Sequence, residues 1–114
     1  MSRLEKEIVA GGMRIFARIN HAALAKEAGQ TLLPTDLIIF GNPRGGTPLM
    51  QAGQTIGIDL PLKALVWQDD SGKTWLSYNQ PAWLIKRHEL KGMDQIAAKM
   101  ELALAAIALK ATRG

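Results

Sequence analysis

Leu37-Ile38-Ile39-Phe40 is an unbroken apolar run set between two turn signals, Pro34-Thr35-Asp36 and Gly41-Asn42-Pro43. A run this short cannot be a membrane span and is too brief for a buried helix, so it reads as a strand central in a sheet and covered on both faces. That one strand demands neighbours, and the chain supplies them. Met13 to Asn20 alternates, with Met13, Ile15, Ala17 and Ile19 on one side and Arg14, Phe16 and Arg18 on the other. Leu62 to Gln68 and Lys73 to Asn79 form two more strands around the loop Asp69-Asp70-Ser71-Gly72. Pairing Gln68 with Lys73 puts Trp67, Leu65, Thr74, Leu76 and Tyr78 on one face.

Helical stretches fill the intervals. Ser2-Arg3-Leu4-Glu5 has the spacing of a capping box ahead of Ile8 and Val9, and Gly11-Gly12 is the stop. Asn20 caps a helix from His21 to Ala28 that Gly29 ends. Thr47 is the expected cap, and Pro48 the first helical residue, of a helix carrying Leu49, Met50, Ala52 and Ile56. Gln80-Pro81 opens a helix through Leu90, and Asp94 caps the last one, to Arg113. In that helix Ile96, Met100, Ala103 and Ile107 form a stripe, while Leu102 to Leu109 is apolar nearly all round. Such a helix needs cover on more than one side, and a partner subunit is the expected second cover. The fold class that follows is α+β: one small mixed or antiparallel sheet of about four strands packed with helices, ending in an apolar helix. Residues 1–114 form a single domain, as 114 residues suggest.

Composition narrows the function classes. Without cysteine, disulfides, thiolate nucleophiles and cysteine–zinc sites are excluded. The first ten residues, with Arg3, Glu5, Lys6 and Glu7, do not read as a signal peptide, and no stretch approaches ~18 apolar residues, so a cytoplasmic protein off the membrane is expected. The formal charge is +4, but the fourteen basic residues are dispersed among ten acids. A solubilising surface fits better than a nucleic-acid footprint, which makes nucleic acid an unexpected partner.

Gly41 to Pro48 is the strongest candidate for chemistry. It follows an apolar strand and leads into a helix, where free amides and two adjacent glycines can cradle an anion and Arg44 can add a bidentate contact. It is not a P-loop: Thr47 stands where the lysine belongs, and Pro48 where the magnesium-binding hydroxyl belongs. The alternative is a tight turn that needs glycine dihedrals. His21, at a helix start, is a candidate base or ligand, or simply a histidine bonded to backbone. Lys63 is a candidate to steady negative charge. Asp59 is expected to pair with Lys63 or cap a turn, and His88 to lie on the surface. Trp67, Trp75, Trp83 and Tyr78 read as packing before they read as a stacking platform. No serine sits in a nucleophile elbow, and two distant histidines make no metal motif.

Taken together, Phe16-Ala17-Arg18-Ile19-Asn20-His21-Ala22, the loop Gly41-Asn42-Pro43-Arg44-Gly45-Gly46-Thr47-Pro48-Leu49-Met50, Asp59-Leu60-Pro61-Leu62-Lys63 and Tyr78-Asn79-Gln80-Pro81 resemble the bacterial family catalogued as domain of unknown function 302. The resemblance covers about residues 3 to 112. It implies a small α+β fold, dimeric in its relatives, and no settled activity. Asn20 stands where the family's usual aspartate precedes the histidine, which weakens an acid–histidine pair. The relatives also imply a strand before the first helix, so an open sheet edge covered by a partner chain is expected.

The expected function is therefore a dimeric module that binds a small polar or anionic ligand through His21, Asn42, Arg44, Gly45, Gly46, Thr47 and Lys63, with no catalytic residue, metal or cofactor. A protein-interaction or structural module and a His21-dependent enzyme are the alternatives.

Overall fold

The computed structural model describes residues 1–113. In chain order they form α1 (Ser2–Ala10), β1 (Arg14–Asn20), α2 (His21–Glu27), β2 (Thr35–Gly41), α3 (Pro43–Ala52), a short 3-10 helix (Gln54–Ile58), β3 (Leu62–Gln68), β4 (Thr74–Tyr78), α4 (Pro81–Arg87) and α5 (Asp94–Thr112). The strands make one antiparallel four-stranded sheet in the order β1-β2-β3-β4. The α+β class read from the pattern holds.

Helices α1, α3, α4 and α5 gather on one face of the sheet. Ile38 and Phe40 of β2 and Leu62 and Ala64 of β3 are buried there against Leu4 and Ile8 of α1, Leu49 of α3, Ile56, Leu84 and Ile85 of α4, and Leu104 and Ile107 of α5. Phe40 and Ile38 are 1% and 0% exposed, so β2 is the centre of the core. Its other face differs from expectation. Leu37 and Ile39 are only half-buried, because no helix of the core cluster packs over them.

Four local readings are corrected, each for a physical reason. Glu5 does not reach back to close a capping box, because its carboxylate accepts from Arg18 Nη1 at 2.9 Å; Met1 is the N-cap, without a side-chain bond. In β1, Ile15 pairs with Phe40 and Ala17 with Ile39, so Phe16 is an extra, bulged residue. The bulge flips the later alternation: Ile15 stays on the core face, while Ala17 and Ile19 turn to the open one. In the β3–β4 hairpin, Gln68 pairs with Thr74, not Lys73, so Trp67 faces Trp75 and Ser77 lies across from Leu65. The Asp69 carboxylate sets that register by accepting from the amides of Ser71 and Lys73 and from Trp75 Nε1. Finally, Asp94 stands in the first turn of α5 rather than capping it, and the buried line of that helix is Ala97, Leu104 and Ile107. Other signals hold: Asn20 Oδ1 accepts from Ala23 N at 2.9 Å at the start of α2, and Gly12 and Gly29 adopt φ of +81° and +75° where the first two helices end.

Candidate functional site

The loop after β2 is helix almost from its first residue. Asn42 is the N-cap and Pro43 the first helical residue, so Arg44, Gly45, Gly46 and Thr47 lie within α3 and Pro48 sits inside it. This displaces the expected start at Thr47 and Pro48, and it changes the chemistry. Pro43 has no amide hydrogen. Arg44 N donates to Asn42 Oδ1 at 3.0 Å, and Gly45 N and Gly46 N donate to Asn42 O at 2.9 and 3.0 Å. Asn42 thus takes the donors that an anion would have used. Neither Gly45 nor Gly46 has a positive φ. The expectation of an anion cradle built from free glycine amides is overturned by these bonds.

What the α3 start does border is a hollow of about 210 Å³. Its floor and walls are the side chains of Met13, Phe16, Met50, Leu60, Leu62 and Met100. Gly41, Pro43, Gly45 and Gly46 supply backbone, and Asn42 and Thr47 are its polar members. The glycines matter here as small surfaces: a Cβ at Gly46 would lie 3.8 Å from Leu60 Cδ1, and one at Gly45 would meet nothing within 4 Å. The Phe16 bulge carries its ring toward Gly41, with Cε2 4.0 Å from where a Gly41 Cβ would stand. Three of the five methionines line this one hollow. An apolar, thioether-rich wall adapts to the shape of an apolar guest. An engineered cavity of about 150 Å³ already holds benzene.

The candidate residues do not all meet here. Asn42, Gly45, Gly46 and Thr47 border the hollow, and the exposed Arg44 stands in the same helical turn. His21 is elsewhere. The register sets Arg14 opposite Gly41 and Asn20 opposite Asp36, so the start of α2 is at the far end of the strand, roughly 20 Å from the loop at ~3.3 Å per residue. Lys63 lies next to Leu62 on β3 and therefore points to the opposite face of the sheet. A His21 base working with Arg44 or Lys63 is not assembled.

A second polar cluster was not legible in the sequence. Asp59 does not pair with Lys63 as its main partner; Arg87 Nη1 donates to its two oxygens at 2.9 and 3.0 Å. His88, expected on the surface, has a side chain only 9% exposed, with Nε2 2.5 Å from Asp59 Oδ2 and Nδ1 3.1 Å from Thr55 Oγ1. With Nε2 protonated toward the carboxylate, Nδ1 accepts from the threonine hydroxyl. The His88 bond first, and the nearby Arg87 and Lys63 charges after it, hold the Asp59 carboxyl below its usual range against a counteracting desolvation. The next residue, Glu89, has φ of +53° and lets Leu90 N bond Ile85 O at 3.0 Å to close α4. Asp59 immediately precedes Leu60 and Pro61, so the cluster braces one wall of the hollow against α4. The partners are some thirty residues apart, and no spacing rule links them.

At the hairpin, Trp67 and Trp75 stack with centroids 6.1 Å apart, and Lys73 Nζ sits 4.2 Å over the Trp75 ring. Among the described residues, no helix is long and apolar enough to cross a membrane.

The family described as domain of unknown function DUF302 matches residues 1–107. A crystal structure of an uncharacterized conserved protein DUF302 from Bacillus stearothermophilus superposes with a TM-score of 0.87 at 23% identity, covering 96% of this chain and 86% of that one. Among curated proteins, fluoride-specific ion channel FluC 1 of Brucella suis is 52% identical over 99 residues, which are 87% of this chain and 39% of that protein. FluC 2 of Brucella melitensis matches equally, over 37% of its length. The chain thus spans about two-fifths of the length of the curated relatives it matches.

Proposed function

This chain belongs to the DUF302 family, and from that premise we propose that it is a dimeric binding module, not a catalyst, taking a small ligand with an apolar body and a polar or anionic end in the hollow beside Asn42–Thr47. The observation that carries the reading is the wall of the hollow: Met13, Phe16, Met50, Leu60, Leu62 and Met100 offer apolar contact, with Asn42 and Thr47 at its polar side. Arg44 serves the charged end through its side chain, since the helix amides are already bonded. The ligand's apolar body supplies most of the affinity, at about 25 cal/mol per Å² removed from water. The curated relatives carry this segment within longer chains named as channels, which suits an accessory module whose occupancy is read by an attached part.

Thermal-shift titration with hexanoate, benzoate and inorganic phosphate tests the reading. The two carboxylates with apolar bodies raise the melting temperature at millimolar concentration, and phosphate does not. A Gly46→Leu chain, whose side chain grows toward Leu60, loses the shift while remaining folded. Equal shifts with phosphate, or an undiminished response in Gly46→Leu, contradict it.

A further inference from the structure

We propose that Thr55 is a reactive hydroxyl, the covalent acceptor of one apolar acyl group from an activated ester or thioester, with His88 as its base and Asp59 as the group that positions the base. The three side chains stand in line. Thr55 Oγ1 lies 3.1 Å from His88 Nδ1, and His88 Nε2 lies 2.5 Å from Asp59 Oδ2. A hydroxyl within ~2.6–3.2 Å of a basic nitrogen, with that base held in turn by a third group, is the arrangement that activates serine and threonine nucleophiles. An ionised Asp59 only accepts, so the proton between it and His88 belongs to Nε2. Nδ1 is left with its lone pair facing the Thr55 hydroxyl, and either ring nitrogen serves as a base once the other carries the proton. Other hydroxyls are engaged differently: Thr35 and Thr112 donate to the carbonyls of Leu33 and Ala108, and Ser77 accepts from the Trp67 indole.

The line is held at both ends. Arg87 Nη1 donates to both Asp59 oxygens at 2.9 and 3.0 Å, and its guanidinium sits 5.7 Å from the centroid of the Trp83 ring. The His88 bond first, and Arg87 after it, keep Asp59 ionised well below neutral pH. Near Thr55, Gly53 lets the end of α4 approach closely, since a Cβ there would collide with Leu90 Cδ2. Access is graded along the line. The side chains of His88 and Asp59 are 9% and 14% exposed, which keeps the base dry, whereas Thr55 is open to solvent. Residues three apart eclipse in a 3-10 helix, so Ile58 stands over Thr55. At 74% exposed, Ile58 offers an acyl chain an apolar surface beside the hydroxyl. None of the three residues lines the hollow, so this site is separate from it.

In the step itself, His88 Nδ1 takes the Thr55 proton as Oγ1 attacks the carbonyl carbon of the acyl donor. The bond from that carbon to the leaving oxygen or sulfur breaks, and the leaving group departs with the electron pair and takes up the proton from His88. The product is a threonine ester, one per chain, a covalent mark on the module and not a turnover.

The test uses the full chain with p-nitrophenyl butyrate. The parent should release one p-nitrophenolate per molecule and gain one butyryl group, which peptide mapping by mass spectrometry places on Thr55. Thr55→Val, a near-isosteric change at an exposed position, should abolish the label, and Thr55→Ser should retain it. His88→Gln should slow labelling by about a hundredfold or more. Asp59→Asn presents an amide donor to Nε2 and should drive His88 into the opposite tautomer, read from its ring nitrogen shifts by NMR, with labelling falling in parallel. No butyryl group on Thr55, or a label on Thr55 that forms as fast in His88→Gln as in the parent, overturns the inference. An Asp59→Asn chain that keeps both the parent tautomer and the parent rate overturns the role given to Asp59.

Discussion

At the residue scale, the best-defined strain is Glu89, a side-chain-bearing residue at φ +53° where helices ordinarily place glycine. Glu89→Gly should raise stability by about 1 kcal/mol, read as an increase of about 4 °C in melting temperature; no increase, or a fall, would show that the conformation costs nothing. The acids respond to pH in a definite direction. Asp59 is held below its usual range, so its contribution to folding is present above the unfolded carboxyl value and is lost as pH falls through the lower folded one. Asp59→Asn is therefore less stable than the parent at pH 7, and the two denaturation curves converge under strong acid. Asp69, lowered to about 2 mainly by the Trp75 indole bond and then the Ser71 hydroxyl, should make Trp75 fluorescence titrate near pH 2, a transition that Asp69→Asn abolishes. Single residues were the least legible level. Nothing local pairs His88 with Asp59, and both Asn42-Pro43 and Thr47-Pro48 join a capping residue type to a proline, so residue type alone does not say which of them starts α3.

At the element scale, α3 offers the sharpest check on that correction. Glycine in a helix interior costs about 0.5–1 kcal/mol relative to alanine, and a Cβ at Gly45 meets nothing within 4 Å. Gly45→Ala should stabilise the chain by that amount; destabilisation would mean that the segment is a turn after all. Element identity was largely readable. Alternation found β1, the unbroken apolar run found β2, and Gly12, Gly29 and Asn20 marked helix ends as expected. Register was not readable. One bulged residue in β1 and one residue of slip at Asp69 each reversed the faces of everything beyond them, because side chains alternate with period two. Both are fixed by contacts distant from the residues that move: Phe40 opposite Ile15, and the Asp69 carboxylate beneath Trp75.

At the scale of the whole molecule, α1, α3, α4 and α5 cover one side of the sheet, and Ile19, Leu37, Ile39 and Leu65 on its other side stand outside the core cluster. The sequence places an expected partner both at α5 and at an open sheet edge, since periodicity cannot say which of several apolar surfaces a fold covers first. The hollow beside Asn42–Thr47 was found by sequence only as a place. Its apolar character comes from Met13, Met50 and Met100, which reach it from three separate stretches of chain and carry no shared motif. Arg44→Ala should weaken binding of a carboxylate ligand up to tenfold, with no change for its neutral amide analogue, as calorimetry would show. The most direct test labels the methionine methyl groups and follows them by NMR during a hexanoate titration. Occupation of the hollow shifts Met13, Met50 and Met100 in step with one dissociation constant and leaves Met1 and Met93 in place. Saturating ligand that moves none of the three, or moves Met1 and Met93 equally, contradicts a binding site there.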